Sequence, residues 1–599
     1  HLGIIAVIMA VEGRSGGSDR GKPNPAAGFR VTRKRSRGSH SGISFTTAFT
    51  VIVTARLISA ATNPIADCDE SFNYWEPLHF LIYGWGMQTW EYDPRYALRS
   101  YLYLFLHAAF GHLSALLGVE ASLGRRGVFY AIRGMLGVLS AVADAAFASK
   151  VATRFGPGVS RATTLCLAVS AGLFNSGASF LPQTFAREMV TFSFVAWYSK
   201  SDMMAIFAMG LASLVGWPFC VLVGAGIGLE ILRRRGVIFC MVTGVISLAT
   251  IAGCLVAVDS ALYGRTVLAP VNIAVYNSRI DEGEKGGTLY GVEPWDFFFK
   301  NLTLNFSALV PLAFALPATY FLSKMVGASE DVGYGLGPIM AVGGPFWAWF
   351  GLMSCMPHKE ERFMYVCYPL LCLTGSIGLE VLCAVCGRLA MVLFGCGKGI
   401  ARQIKTLGWI LGLAVITACS MSRSFAMVHS YSAPLHAYAA LTDYHAQLSP
   451  KLPPRSGGNT YNVCVGKEWY RFPSHFLLDD KSLRLAFLKS GFDGQLPQMY
   501  LEMPSVLDAT SAVRDHFNDM NREEPTRYTS ENECDYVVDL ELSDQKEKEW
   551  SEQEGWKIVA DLPFLDASKS PSLSRAFYIP GYSAYRNMWA RYLVFARET

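Results

Sequence analysis

Apolar positions along the chain come in repeated runs of about 20 residues, each long enough at 1.5 Å per residue to cross roughly 30 Å of hydrocarbon. The first, Phe45 to Thr62, is followed by a polar and aromatic stretch at 63–99, and a second begins near Ser100. Further runs fall at about 128–149, 162–181, 187–200, 203–231, 237–257, 302–323, 337–356, 364–386 and 406–425. They predict a polytopic α-helical membrane protein with about 11 transmembrane helices over residues 44–428. Beyond them the sequence turns mixed and polar, with Pro453-Pro454 and Gly457-Gly458 as a linker. Short strands at Tyr461–Val465, Tyr536–Leu540, Trp556–Leu562 and Arg575–Ile579, with helical stretches at 480–490 and 507–520, predict a C-terminal α/β domain over 429–599.

Charge orients the runs. Arg30, Arg33, Lys34, Arg35 and Arg37 sit in a Gly/Ser/Pro-bearing segment that reads as a disordered basic cytosolic tail over 1–43. The chain opens at His1; Met9 reads as the initiator, and Leu2–Met9 is too short and too poor in charge for a signal peptide. A cytosolic tail sends loop 63–99 to the opposite side. Arg125-Arg126 then mark a cytosolic turn, and alternation places Arg233-Arg234-Arg235, Arg388, Lys398, Arg402 and Lys405 in the cytosol as well. One loop disagrees, because Lys150, Arg154 and Arg161 fall on the far side. That far side receives loop 63–99, residues 258–300, residues 357–363 and the C-terminal domain.

Composition agrees with the class. Hydrophobic residues make up 51% and charged residues 17%, against about 25% charged in soluble domains, too few to cover a water-exposed surface of this size. The net charge of +4 gives no case for nucleic acid. Most cysteines lie in apolar runs as small hydrophobes, and Cys383 and Cys386 read as packing. Cys464 and Cys534 are the tail's only cysteines; an oxidising compartment would pair them, and otherwise they are buried thiols.

Candidate chemistry gathers in two places. Asp67-Cys-Asp-Glu-Ser-Phe-Asn-Tyr-Trp-Glu-Pro77 puts four carboxylates and three aromatics into eleven residues just past the first membrane run. A carboxylate at an apolar boundary has a raised pKa and can take a proton from a hydroxyl. Asp69 and Glu70 cannot both face one atom, so one should act and the other orient it; a solvated loop acid or a helix cap is the plainer alternative. Asp67, Tyr74, Trp75 and Glu76, with Trp90 and Glu91 farther along, are candidates for the cleft around them. The second place is Pro357-His-Lys-Glu-Glu-Arg-Phe363, five charged or titratable residues between two apolar runs. His358, Lys359 and Arg362 could hold a phosphate there, with Glu360 and Glu361 beside them; the alternative is a charged turn paired within itself. Glu293 and Trp295 lie in an aromatic loop that either caps a cleft or packs on the interface. Asn301-Leu-Thr303 and Asn305-Phe-Ser307 match the glycosylation pattern but start a membrane run. No Gly-rich phosphate loop and no His-rich metal cluster is present.

These strings, with Gln88-Thr-Trp-Glu-Tyr92, Gly216-Trp-Pro-Phe219, Tyr290-Gly-Val-Glu-Pro-Trp295, Asn462-Val-Cys-Val-Gly-Lys-Glu-Trp-Tyr-Arg-Phe-Pro473 and Pro563-Phe-Leu-Asp-Ala-Ser568, resemble a known family over about residues 44 to 580. It is that of the dolichyl-phosphate-mannose-dependent α-1,2-mannosyltransferases of N-glycan precursor assembly, in glycosyltransferase family 22 of the GT-C superfamily. Arg187-Glu188 departs from the family, which usually continues with neutral residues there. The resemblance implies a GT-C membrane fold in the endoplasmic reticulum, with the active site and C-terminal domain lumenal. Its implied donor is dolichyl phosphate mannose and its acceptor a dolichyl-diphosphate-linked oligosaccharide. It further implies α-1,2 transfer of the seventh and ninth mannoses, no metal and no cofactor, Asp69 as base beside Glu70, and His358, Lys359 and Arg362 on the donor phosphate. Sister enzymes that build GPI anchors share the His-Lys-Glu-Glu-Arg-Phe string. A lipid or sugar transporter fits the composition equally well but predicts inverted repeats, and none is visible.

Overall fold

The structure, a computed structural model, describes residues 42–278, 289, 291–448, 460–471, 474–542 and 549–598. The expected basic tail through residue 41, Tyr290, the Pro453–Gly458 linker and Phe472-Pro473 lie outside the described residues.

Among the described residues, six helices are long and apolar enough to cross a membrane, seven if Phe297–Phe306 and Leu309–Met325, bent by 108°, count as one. The first is the expected Phe45–Thr62. Two expected runs merge into Val119–Val169, broken at Gly156 (φ 87°), where a left-handed residue and then Pro157 interrupt the hydrogen-bond ladder. The count of about 11 is therefore corrected downward for helices that span on their own; Tyr101–Leu116 and Asp202–Gly216 are apolar but shorter.

Contacts also correct the expected alternation. Asn63 accepts a hydrogen bond from Arg133 and Arg56 pairs with Asp144, so Phe45–Thr62 runs antiparallel to the long helix and starts beside Ala152 and Ser160. Lys150, Arg154 and Arg161 thus share the side where the first span begins. Arg154 lies over Trp197 and Tyr198, and Asp202 close by pairs with Arg234 and Arg235. All the basic loops except Arg125-Arg126 then agree on one side. Arg126 pairs with Asp443 and Asp479 of the tail, and Tyr101 meets Tyr500 of the tail. Both ends of Tyr101–Leu116 stay with the tail domain, so this helix does not cross, and the Arg125-Arg126 turn belongs to the acidic-loop face.

Among its described residues the tail holds a five-stranded sheet and contributes one strand of a two-stranded ribbon. Its strands, with the one in the acidic loop, are β1 (Met87–Gln88), β2 (Tyr461–Val465), β3 (Leu483–Phe487), β4 (Gln498–Met499), β5 (Tyr536–Glu541), β6 (Trp556–Leu565) and β7 (Trp589–Arg597). Sheet order is β3-β2-β5-β7-β6, with β2 parallel to both neighbours and the β5-β7-β6 part antiparallel. Two expectations fail here. Residues 480–490 contain strand β3, where Leu483, Leu485 and Phe487 alternate into the core, and Arg575–Ile579 begins in a short helix, Ser572–Ala576. The 507–520 stretch holds only Val506–Ser511 as helix. Cys464 and Cys534 form a disulfide joining β2 to the start of β5.

The tail is stapled to the acidic loop. β1 pairs antiparallel with β4, Phe80 stacks on Tyr500 at 3.9 Å, and the buried Glu76 carboxylate accepts from Met87 N–H, Ser474 Oγ, His475 N–H and His475 Nδ1. Burial alone would raise the Glu76 pKa, but His475 outweighs it and holds it at about 2.

Candidate active site

Residues 67–83 leave the first span as a continuous coil: a turn at Cys68-Asp69, a π turn over Glu70–Trp75, then an α-helix over Glu76–Tyr83. Single π turns are frequent at functional sites. Adjacent residues on such a coil point about 100° apart, and the two acids separate accordingly. Glu70 turns inward, its Oε1 accepting from Trp75 Nε1 (3.1 Å) and Phe180 N–H (2.9 Å). Asp69 faces a cavity of about 920 Å³, which it lines with Cys68, Tyr74, Trp90, Glu91, Arg99, His358, Glu360 and Arg362.

Two arginines organise the charge. Arg362 Nη2 lies 2.7 Å from Asp69, its Nη1 3.2 Å from Asp67, and its Nε contacts Glu360. Arg99 reaches Asp69 at 3.4 Å, Glu91 at 2.8 Å and the Tyr74 hydroxyl at 2.7 Å. Burial pushes the Asp69 pKa up, but Arg362 and then Arg99 outweigh it, and the group stays below the ordinary carboxylate range. Burial prevails at Asp67 and raises it to about 7 despite Arg362, with Asp69 adding to the rise. Glu70 and Glu91 are raised by burial too. His358 is raised by its hydrogen bond to Glu360.

The remaining expected site residues divide. Trp75 packs against Phe129, Phe180 and Phe476, and Glu76 holds the tail, so neither faces the cavity. Lys359, 5% exposed, donates to the carbonyls of Glu293 (2.7 Å) and Met356 (2.5 Å), tying the aromatic loop to the turn. The Glu293 side chain is exposed, and Trp295 is 75% exposed. Glu361 accepts from Asn175 and Asn301, which engages one expected glycosylation asparagine, and Asn305 is buried. Arg99, the second cation of the site, belongs to neither of the two charged strings that stand out in the sequence. The 358–363 turn rests on Trp217, stacked on Phe363 at 5.1 Å, while Trp349 Nε1 donates to the Phe363 carbonyl. Among the described residues, Asp67, Cys68 and Asp69 are the one group whose atoms lie close enough to share a metal ion, and Arg362 already bridges both carboxylates.

An ionised carboxylate beside two arginines and a histidine whose pKa is raised can accept a proton while the cations hold an anion, the requirement of group transfer from a phosphate leaving group. Residues 47–479 match the family described as Alg9-like mannosyltransferases. The chain is similar to "Alpha-1,2-mannosyltransferase ALG9" of Mus musculus, 38% identical over 92% of this chain and 88% of that one. It is also similar to "Alpha-1,2-mannosyltransferase alg9" of Schizosaccharomyces pombe, 35% identical over 93% and 95%. Among solved structures, ArnT from Cupriavidus metallidurans bound to undecaprenyl phosphate aligns at TM-score 0.47 with 12% identity, covering 81% of this chain and 88% of that one. The chain is a mannosyltransferase and belongs to the Alg9-like mannosyltransferase family.

Proposed function

We propose that the protein moves mannose from dolichyl phosphate mannose onto a dolichyl-diphosphate-linked oligosaccharide in α-1,2 linkage, adding the seventh and ninth mannoses, on the lumenal face of the endoplasmic reticulum membrane. The observation that carries this reading is Asp69 on the cavity wall, kept ionised by Arg362 and Arg99. The membrane-side wall is apolar and reaches the lipid-facing surface through Leu222 and Leu352, 52% and 41% exposed, which suits an isoprenoid donor. In one in-line step the acceptor O2 attacks the mannose C1, and the C1–O bond to phosphate breaks. The phosphate keeps the electron pair and the hydroxyl proton passes to Asp69. Inversion turns the β-linked donor into an α-linked product. A phosphate that draws Arg362 and Arg99 onto itself weakens their pull on Asp69, so donor binding raises the basicity of the carboxylate. Purified protein incubated with dolichyl phosphate mannose and a defined acceptor should yield α-1,2-linked mannose on linkage analysis; no transfer, or another linkage, defeats the proposal.

Arg362→Ala should raise the apparent KM for the donor tenfold or more, the scale of about 1.5–3 kcal/mol for a hydrogen bond to a charged group. An unchanged donor KM would remove Arg362 from the phosphate site. Lys359→Ala should act through the loop it ties down.

The leaving phosphate already carries its charge and two arginines face it, so the step needs no metal. EDTA is expected to leave turnover unchanged; inactivation reversed by Mg²⁺ or Mn²⁺ would assign the Asp67–Cys68–Asp69 cluster to a cation.

A further inference from the structure

The cavity has two unlike walls. Across from the apolar membrane side, Trp469, Phe492, Gln495 and Asn521 line it from the tail domain, and none of the four is charged. Trp469 and Phe492 have ring centroids 4.3 Å apart, and Trp469 stacks on Phe72 at 6.3 Å with 28° between the planes. Phe72 lies three residues beyond Asp69, so the aromatic cluster begins next to the proposed base. Both tail rings are half-buried and present carbon surface to an aqueous cavity. Beside them the Asn521 Oδ1 accepts the Gln495 N–H at 2.9 Å, and its amide nitrogen makes no hydrogen bond among the described residues. Gln495 is itself fixed by the His516 carbonyl and the Asn518 N–H.

A phosphate or diphosphate would require cations on this wall. An isoprenoid would require an aliphatic one. An aromatic face flanked by neutral amides matches a pyranose, whose axial C–H groups lie against the ring while its hydroxyls exchange hydrogen bonds with amides. The Glu76 clamp and the β1–β4 pair hold this wall in place.

We infer that Trp469, Phe492 and Asn521 form a subsite for the sugar residues of the acceptor glycan, so that the tail domain selects the oligosaccharide while the membrane domain takes the lipid-linked donor. This rests on the proposed transferase reading. The acceptor then spans from the tail wall to Asp69, and its terminal mannose is positioned by contacts made farther along the glycan.

The test is equilibrium binding of the free mannose–chitobiose oligosaccharide, and separately of dolichyl phosphate, to the full-length protein. Trp469→Ala should weaken oligosaccharide binding at least tenfold, the factor that about 1.4 kcal/mol of lost contact produces. Trp469→Phe should retain most of the affinity, and dolichyl phosphate binding should stay within about twofold. Asn521→Asp preserves shape but removes the amide donor; it should lose several-fold affinity and decides the matter if Trp469→Ala does not fold. Parental oligosaccharide affinity in these variants, or no oligosaccharide binding by the parent protein, overturns the subsite. Absence of mannose transfer with oligosaccharide binding intact would instead overturn the reaction and leave the subsite standing.

Discussion

Replacing Asp69 with Asn is expected to lower turnover by about 10²–10⁴-fold while donor binding stays within about twofold of the parent, the range general-base removal commonly produces. Asn has the shape of Asp without its charge, so the loss isolates proton acceptance. Asp69 is the carboxylate that contacts both arginines, at 2.7 Å from Arg362 and 3.4 Å from Arg99; its neutralisation loosens both cations for the phosphate, and donor affinity should not fall. Single-turnover rates with donor-binding isotherms separate the two effects. A near-normal rate in Asp69→Asn would move the base to Asp67, because Glu70 turns inward to Trp75 and Phe180 through its Oε1 and Glu76 holds the tail through both oxygens. The pH profile distinguishes the pair independently. Asp69, held below the ordinary carboxylate range, stays ionised through neutral pH and is protonated, and so lost as a base, only in acid. Asp67 titrates at about 7, so a limb there that vanishes in Asp67→Asn reports the neighbour and not the base.

Asp69 and Arg362 were legible as candidates because charge at the edge of a membrane run is costly and conspicuous, and the structure brings these two together from 293 residues apart in sequence, as 362 minus 69. Arg99 carried no such mark. It is a lone cation just before an apolar run, and its partners Glu91, Tyr74 and Asp69 form no helical or strand spacing with it. Glu76 and Lys359 looked reactive for the same reason as their neighbours, and only distant partners show otherwise: Ser474 and His475 for one, the Glu293 carbonyl for the other. Residue type reports that a charge must be satisfied, not by what. The orientation of the helices has a similar root. Tyr101–Leu116 has the hydropathy of a span but only 16 residues, and counting it as a crossing displaced Arg125-Arg126 and made 150–161 look anomalous. Strand β3 read as helix because Leu, Arg, Ala and Lys are good helix formers, and five residues of alternation were outvoted by that propensity.

Inside the helix bundle, Arg56→Ala is expected to destabilise the protein by about 3–5 kcal/mol, the cost of leaving a buried charge without its partner. Arg56 is fully buried about 9 Å back from the end of the first span, at 1.5 Å per residue. It donates to Asp144 at 2.9 Å, to the Leu167 carbonyl at 2.8 Å and to Ser140 Oγ at 3.1 Å. Ser140 also accepts from Arg187 at 2.7 Å, and Arg187 lies 3.5 Å from Glu188. Two cations, each paired with its own carboxylate, thus share one hydroxyl, and the Arg187-Glu188 pair sits in the network of Arg56 and Asp144. Removing Arg56 leaves Asp144 buried without its direct ion-pair partner, and leaves Arg187 alone against two carboxylates. Asp144→Ala should cost a similar amount for the converse reason. The double replacement Arg56→Met with Asp144→Leu removes both charges and fills the space, and should recover most of the loss, because a buried pair gives little net stability once its desolvation is counted. Thermal unfolding midpoints in detergent for the two single variants and the double variant complete the cycle. Single variants each costing below about 1 kcal/mol, as surface substitutions do, would show that the network is hydrated and contributes no structural constraint.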